Sequence, residues 1–197
     1  MQAVEFILAS SSPRRKALLK QIGLKFRVHP SQLVEPGFEG NSPLNYALNL
    51  ASLKAGEVST LFPNALVLGA DTIVVVDDIV LGKPADASEA NHMLRLLSDR
   101  SHVVITAYSF QLHDRQIHQD YAVSTQVYFK ALQADDIQHY VDSGSPFDKA
   151  GSYGIQDFSS VFVDRIEGCF YNVVGLPISD VNSRLKQLLL TNDLELK

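Results

Sequence analysis

The chain has very little cysteine, no tryptophan and no long hydrophobic run. Its 197 residues contain one cysteine, Cys169, so no disulfide can form within the chain. A single cysteine is typical of a reducing compartment, and we expect a cytoplasmic location. No apolar stretch approaches the roughly 20 residues of a membrane-spanning helix. Because the N-terminal segment carries the acidic Glu5 and soon reaches a polar helix, we also expect no signal peptide and no membrane partner.

Well-known motifs of several enzyme and binding classes are also missing. The sequence has no P-loop, no dinucleotide-binding glycine pattern, no Gly-x-Ser-x-Gly elbow and no Cys/His spacing that suggests zinc. The formal net charge of −5 argues against non-specific nucleic-acid binding, and we expect no nucleic-acid partner. This charge still allows a small basic pocket for a phosphorylated metabolite.

The remaining composition is that of an ordinary globular protein, with 46% hydrophobic and 20% charged residues. Predicted strands and helices alternate, and tight hairpins join several strand pairs, with turns at residues 77–78 and 113–115, so the sheet must be mixed. We expect an α/β fold with a curved mixed sheet flanked by helices, and two intimately joined lobes around a cleft in a single domain over residues 1–197. Residues 31–41 are predicted to form a loop. The predicted helices are 13–22, 43–61, 89–97, 135–143 and 178–190, the second and third of them capped by Ser42 and Ser88. The predicted strands are 4–9, 26–29, 65–70, 72–77, 79–81, 102–112, 117–128, 162–166 and 170–174.

The serine-rich turn 10–13 opens a helix that begins with Arg14 and Arg15. Ser12 is a good N-cap, and Pro13 suits the first helical position. Cations at a helix N-terminus are unfavourable by roughly 0.3–1 kcal/mol, so two arginines there are unusual. An anion bound among the guanidinium and backbone N–H groups would explain them, and phosphate has suitable geometry. The alternative is an ordinary capped helix with solvated arginines.

Three further segments could carry chemistry. Asp71 follows a buried apolar run, where a carboxylate must meet a cation, a metal or several donors; the alternative is a turn aspartate that accepts backbone hydrogen bonds. Lys83 lies at the exit of the hairpin that Asp71 leads into, although a surface lysine before a proline is common. Gln156 ends a glycine-containing loop and offers a donor and an acceptor suited to a nucleobase edge, and the alternative is a structural turn. We interpret the six histidines and Cys169 as structural.

Taken together and in this order, these segments resemble the Maf family of nucleoside triphosphate pyrophosphatases. The matching blocks extend through nearly the whole chain and are highly specific in combination. They are Leu8-Ala9-Ser10-x-Ser12-Pro13-Arg14-Arg15, Ala51-x-x-Lys54-Ala55, Gly69-Ala70-Asp71-Thr72, Gly82-Lys83-Pro84, Lys149-Ala150-Gly151-Ser152-Tyr153-Gly154-Ile155-Gln156 and Val174-Gly175-Leu176-Pro177.

The resemblance implies a fold related to inosine triphosphatase-type pyrophosphatases and hydrolysis of a nucleoside triphosphate between its α and β phosphates. It also implies a divalent cation, Mg²⁺ or Mn²⁺, as cofactor, and it is compatible with a homodimer. Arg14, Thr72 and Gln156 match the subgroup that acts on dTTP and UTP, with modified pyrimidine nucleotides as candidate further substrates. The alternatives are a 7-methyl-GTP pyrophosphatase and a nucleotide-binding regulator of cell division.

Site residues follow from the same resemblance. Asp71 looks like the proton acceptor that activates water, and Asp71 and Glu35 are the candidate metal ligands. Asp157, an acid directly after Gln156, departs from the family pattern, which has glycine at this position. The other matching positions would bind substrate: Ser10, Arg14, Arg15, Lys54 and Lys83 at the phosphates, with Thr72 and Gln156 as further substrate contacts.

Overall fold

The computed structural model describes residues 1–40 and 42–197, and Asn41, the last residue of the loop predicted over 31–41, lies outside the described residues. No helix in the described ranges is both long and apolar enough to cross a membrane. The strands are β1 (Gln2–Leu8), β2 (Arg27–Val28), β3 (Ala65–Val76), β4 (Ile79–Leu81), β5 (Ser101–Leu112), β6 (Ile117–Phe129), β7 (Val163–Glu167) and β8 (Leu194–Leu196). The α-helices are α1 (Pro13–Gln21), α2 (Pro43–Leu61), α3 (Ala87–Leu97), α4 (Ala134–Asp142), α5 (Phe170–Val174) and α6 (Ile178–Thr191).

The strands form one mixed sheet in the order β2-β1-β3-β5-β6-β7, with β4 paired to β3 and β8 paired to β1. β1 runs parallel to β2, β3 and β8, whereas β4 is antiparallel to β3 and β7 is antiparallel to β6. The predicted mixed α/β sheet flanked by helices is therefore confirmed. The curvature, the cleft and the single domain over residues 1–197 stay predictions.

The first of two compact units comprises residues 1–71, 106–122 and 175–197. β1 and β3 pair in parallel here, with Leu8 opposite Leu68. Ile7 and Val67 on these strands belong to a fully buried cluster with Val58 of α2. Both strands have continuous apolar runs in the sequence, which is typical of strands that are buried on both faces. The polar residues that follow these runs therefore start from adjacent strands.

The second unit comprises residues 72–105 and 123–174, and it has a hydrophobic core of its own. Val74, Leu94, Val127, Tyr140 and Phe162 are each no more than 2% exposed in this core. The aromatic members matter most for its stability, because a buried Phe or Tyr removes roughly 150–250 Å² from water.

His102 is the buried titratable group of this second core. It lies in β5, in a strand as predicted, and is 1% exposed. Its Nε2 lies 2.7 Å from the Tyr153 hydroxyl, and its ring packs edge-on against Phe129 at 4.9 Å. Nδ1 has no hydrogen-bond partner within residues 1–40 and 42–197. Burial lowers the pKa of His102 from 6.5 to about 4, so the folded protein holds this ring neutral at neutral pH.

Acidification should destabilise the protein through His102. The unfolded histidine takes up a proton near pH 6.5, but the folded one does so only near pH 4. The contribution of neutral His102 to stability is therefore complete above pH 6.5. It is lost as the pH drops towards 4, and the free energy of unfolding falls by about 3 kcal/mol. Urea unfolding at several pH values measures this, and His102→Gln should remove this part of the dependence. His92→Gln, which replaces an exposed histidine, is the control and should keep the pH dependence of the wild type. The same pH dependence of the free energy of unfolding in wild type and His102→Gln would contradict the prediction.

Local signals in the sequence locate several element ends correctly. The Ser12 side chain accepts a hydrogen bond from Arg15 N, and the Ser42 side chain accepts one from Asn45 N, so both predicted N-caps are confirmed. The predicted turn at residues 113–115 joins β5 to β6. The β3–β4 turn is also confirmed at Asp77 and Asp78, whose φ angles of 48° and 63° suit a tight hairpin.

Two boundary predictions and one omission are corrected by the structure. Residues 65–76 form a single twelve-residue strand, β3, in place of the two predicted strands 65–70 and 72–77, because Asp71 finds a side-chain partner and does not break the strand. The α3 N-cap is Asp86 and not Ser88, since Asp86 Oδ1 accepts from Glu89 N at 2.8 Å while Glu89 Oε2 accepts from Ala85 N at 2.7 Å. Strand β8 was not predicted from the sequence.

Residues 170–174 form helix α5 and not the predicted strand. The apolar run is too short for its periodicity to separate the two structures. Asn172 decides the outcome, because its fully buried Nδ2 donates to Val104 O and Thr125 Oγ1, both at 2.9 Å. Cys169 lies at the preceding turn, where its backbone N donates to Thr125 Oγ1 at 3.1 Å.

Candidate active site

Asp71 lies within β3 in the first unit and is 8% exposed. Lys54 of α2 donates from Nζ to Asp71 Oδ1 at 2.6 Å, and the same Nζ lies 2.8 Å from Glu35 Oε1. One ammonium group therefore bridges two carboxylates. The structure thus brings together three of the residues that the sequence predicted for the site.

Close packing between α2 and β3 places Lys54 beside Asp71. A Cβ atom at Gly69 would lie 2.5 Å from Ala51 O and 2.6 Å from Ala55 N. Both of these backbone atoms belong to the α2 turn that carries Lys54. Gly69 is required because only a residue without a side chain lets a helix backbone approach the strand so closely.

Two opposing effects act on the pKa of Asp71. Burial raises this pKa above its ordinary value of 3.8, while the positive charges of Lys54 and Arg15 lower it and the negative charge of Glu35 raises it. The net direction is upwards, so the Asp71 carboxylate is a stronger base than an aspartate in water. A raised pKa of this kind suits a group that must accept a proton.

Arg15 connects the start of α1 by hydrogen bonds to the strand that carries Asp71. Its Nη1 donates to Ala70 O at 2.9 Å and to Ser10 Oγ at 3.2 Å, and its Nε donates to Gly175 O at 2.9 Å. Burial lowers the pKa of Arg15, as does the nearby positive charge of Arg14, and the Asp71 carboxylate opposes both effects. The structure therefore brings the helix start to the site, and the predicted phosphate contacts of these residues stay predictions.

Thr72, Lys83 and Gln156 belong to the second unit. Thr72 is partly buried in β3, directly after Asp71, whereas Lys83 and Gln156 are exposed. Within this unit Gly151 N donates to Gly82 O at 3.0 Å, which links the segment of Lys83 to the loop that ends at Gln156.

Asp157, the unexpected acid after Gln156, is held by its own neighbours in the second unit. Tyr140 donates from its hydroxyl to Asp157 Oδ2 at 3.1 Å, and Ser159 N donates to Oδ1 at 3.0 Å. Lys149 Nζ lies 3.2 Å from Asp157 Oδ2. Ser159 Oγ accepts from Gly154 N and lies within hydrogen-bond distance of Gly154 O, both at 2.9 Å. Asp157 thus fixes the turn that presents Gln156.

Asp71 and Glu35 are the pair best suited to a divalent metal. Over residues 1–40 and 42–197, no group of three or more His, Cys, Asp and Glu side chains could hold a metal ion. Two carboxylates suffice for Mg²⁺ or Mn²⁺ when substrate phosphates supply further oxygen ligands. The oxygens that approach a common ammonium group at 2.6 and 2.8 Å fit this donor set.

Sequence reasoning missed two residues that position this site without belonging to it. Gly69 was included in a motif, but its role in helix packing was not predicted. Glu57, which binds the segment leading to Glu35, was not singled out at all. The only available signal was its spacing, since Glu57 follows Lys54 by three residues and shares its helix face.

The fold and the site together define a class of mixed α/β protein. Its members have a buried aspartate, a lysine that bridges this aspartate and a second carboxylate, and a helix with arginines in its first turn. Residues 5–188 match the family model described as Maf-like protein. A dTTP/UTP pyrophosphatase of Syntrophomonas wolfei is 47% identical over 178 residues, which cover 90% of this chain and 94% of that protein. One of Bacillus velezensis is 47% identical over 181 residues, covering 92% and 95%. This chain belongs to the Maf family, as its motifs predicted.

A solved structure, that of a HAM1 protein from Coxiella burnetii, is also similar. It aligns with a TM-score of 0.48 and 15% sequence identity over 93% of this chain and 99% of that chain.

Proposed function

We propose that this chain is a nucleoside triphosphate pyrophosphatase that hydrolyses dTTP and UTP to the monophosphate and pyrophosphate. One structural observation carries the proposal: a buried aspartate of raised pKa shares the Lys54 ammonium with a second carboxylate. Two relatives that are 47% identical to this chain are dTTP/UTP pyrophosphatases, which supports this choice of substrates. The proposal includes a cytoplasmic location and a homodimer, which the single cysteine and the family resemblance respectively support.

The proposed reaction needs a base and a set of positive charges. Asp71 accepts a proton from the attacking water, an oxygen–phosphorus bond forms, and the bond between the α and β phosphates breaks to release pyrophosphate. Lys54, Arg14 and Arg15 offset the negative charge of the triphosphate. Phosphoryl transfer depends mainly on such positioning and charge stabilisation. When Mg²⁺ or Mn²⁺ is bound by Asp71 and Glu35 with phosphate oxygens, it supplies further charge neutralisation at the phosphates.

The first test is pyrophosphate release from a panel of nucleoside triphosphates with Mg²⁺ or Mn²⁺. We expect dTTP and UTP to be hydrolysed faster than CTP, ATP, GTP and 7-methyl-GTP. Preference for 7-methyl-GTP would contradict the assigned substrates while retaining the reaction. Binding of UTP without release of pyrophosphate from any nucleotide would contradict the proposed reaction and favour a nucleotide-binding regulator.

Gln156→Glu should change the base preference without removing hydrolysis. A glutamate loses the amide donor and adds negative charge, so its hydrogen bonds to a pyrimidine edge differ from those of Gln156. We expect the ratio of kcat/KM for UTP to that for CTP to fall by about 10-fold or more, because a site that hydrogen-bonds one base discriminates against a base that lacks the matching group. The control Gln138→Glu changes an exposed glutamine of α4 in the same unit. An unchanged substrate profile would show that Gln156 does not read the base.

A further inference from the structure

Glu57 connects helix α2 to the segment that precedes Glu35. Its carboxylate accepts a hydrogen bond from the Ser31 hydroxyl, and Gln32 N donates to Oε2 at 3.0 Å and to Oε1 at 3.3 Å. Leu33 N donates in turn to Ser31 Oγ at 3.1 Å. Glu57 therefore fixes a short turn, residues 31–33, two residues before Glu35.

The same helix also holds the chain directly after Glu35. The Tyr46 hydroxyl donates to Pro36 O at 2.9 Å, and the Tyr46 ring packs edge-on against Phe38 at 5.3 Å. Tyr46, Lys54 and Glu57 are separated by eight and three residues, so they share one face of α2. Glu35 thus reaches Lys54 from a segment that α2 holds on both sides.

Lys54 alone is a weak anchor for Glu35. The Glu35 side chain is 50% exposed, and an ion pair in contact with water contributes little because solvent screens it. Residues 29–40 form no helix or strand that would order the backbone around Glu35. The charge-assisted hydrogen bonds of Glu57 are stronger, and they act on the backbone itself.

We infer that Glu57 is a positioning residue, which holds residues 31–33 so that the Glu35 carboxylate meets Lys54 and Asp71. This inference rests on the proposed function for the role of Glu35 and Asp71 as a divalent-metal site. Groups that orient a metal ligand commonly change metal affinity by 10-fold or more when they are removed. Glu57 would therefore govern metal affinity rather than the chemical step.

The primary measurement is Mn²⁺ binding to the nucleotide-free protein by isothermal titration calorimetry. Glu57→Ala should weaken Mn²⁺ binding by about 10-fold. It should also raise the Mn²⁺ concentration for half-maximal pyrophosphate release, with kcat at saturating Mn²⁺ changed less than about twofold. Glu57→Gln keeps one acceptor oxygen for Gln32 N and should restore part of the affinity. Thr60→Ala, one turn further along α2, is the matched control and should bind Mn²⁺ like the wild type.

A double-mutant cycle separates positioning of Glu35 from general damage. If Glu57 acts through Glu35, then Glu57→Ala should weaken Mn²⁺ binding in the wild type but not in the Glu35→Ala background. Amide hydrogen exchange gives a readout without metal or nucleotide, and Glu57→Ala should accelerate exchange at Gln32 N. Equal losses of Mn²⁺ affinity in both backgrounds would overturn the inference, as would unchanged exchange at Gln32 N.

The outcomes also separate this inference from the proposed function. A wild-type protein that binds Mn²⁺ but releases no pyrophosphate contradicts the proposed function, while the cycle and the exchange measurement still test Glu57. A wild-type protein that hydrolyses dTTP or UTP but binds Mn²⁺ as tightly after Glu57→Ala overturns only the inference. A wild-type protein that binds no Mn²⁺ overturns it as well.

Discussion

Replacing Asp71 with asparagine should lower kcat for pyrophosphate release from dTTP or UTP by about 10³-fold or more. Removal of a positioned general base typically costs 10²- to 10⁴-fold, and this carboxylate is also a candidate metal ligand. The amide of asparagine keeps the shape of the side chain but accepts no proton near neutral pH. The ammonium group of Lys54, which binds Asp71, also lies 2.8 Å from Glu35 Oε1. Lys54 therefore keeps an anionic neighbour in the variant.

The same substitution should leave the fold nearly unchanged. Burial raises the pKa of Asp71, which means that the folded protein favours the neutral form of this group more than the unfolded chain does. A neutral side chain of the same size should therefore cost little free energy of unfolding. Steady-state kinetics and urea unfolding measure the two effects separately. Asp78→Asn at the β3–β4 turn is the matched control, and activity near wild type in Asp71→Asn would remove Asp71 from the mechanism.

Gly69→Ala should disrupt both stability and activity. The added methyl group would lie 2.5 Å from Ala51 O, 2.6 Å from Ala55 N and 2.8 Å from Ala55 Cβ. Two of these atoms are backbone atoms, so the clash cannot be relieved by a side-chain rotation and α2 must move. Overpacking usually costs about 1–3 kcal/mol, and we expect the upper end of that range here. A displacement of α2 also moves Lys54 away from Asp71, and misplacement by about 1 Å can cost about 10²-fold in rate.

Urea unfolding and kcat for dTTP test this prediction together. Gly82→Ala and Gly37→Ala are suitable controls for stability, since a Cβ atom at either position meets nothing within 4 Å. Both controls should change the free energy of unfolding by less than about 0.5 kcal/mol, as substitutions in open space do. A Gly69→Ala protein with wild-type stability would show that α2 and β3 are not held at this distance. Full activity in a destabilised Gly69→Ala protein would instead show that the Lys54–Asp71 contact tolerates a shift of the helix.

The sequence predicts best those features that depend on near neighbours in the chain. The caps at Ser12 and Ser42 need only a hydroxyl and an amide three residues further on, and both are confirmed. Helix α5 was predicted wrongly because Asn172 is satisfied by residues that lie 47 and 68 positions away in the sequence. The same limit applies to β3, whose continuity through Asp71 depends on a lysine from another element.

The candidate site shows the same division. Motif resemblance named Asp71, Lys54 and Glu35, and the structure brings these three together. It could not indicate why they meet, because the close approach at Gly69 and the hydrogen bonds of Glu57 are properties of the folded chain. Residues that bear the chemistry are therefore easier to recognise in this sequence than residues that position them.

The turn around Gln156 bears on how this protein could change over evolutionary time. Its hydrogen bonds join Gly154 to Ser159 and Asp157 to Tyr140, and none of these bonds uses the Gln156 side chain. Mutation at position 156 can therefore sample new side chains while the scaffold around it persists. A descendant enzyme could acquire a different nucleotide by a single replacement there, without first gaining the extra stability that many new activities require.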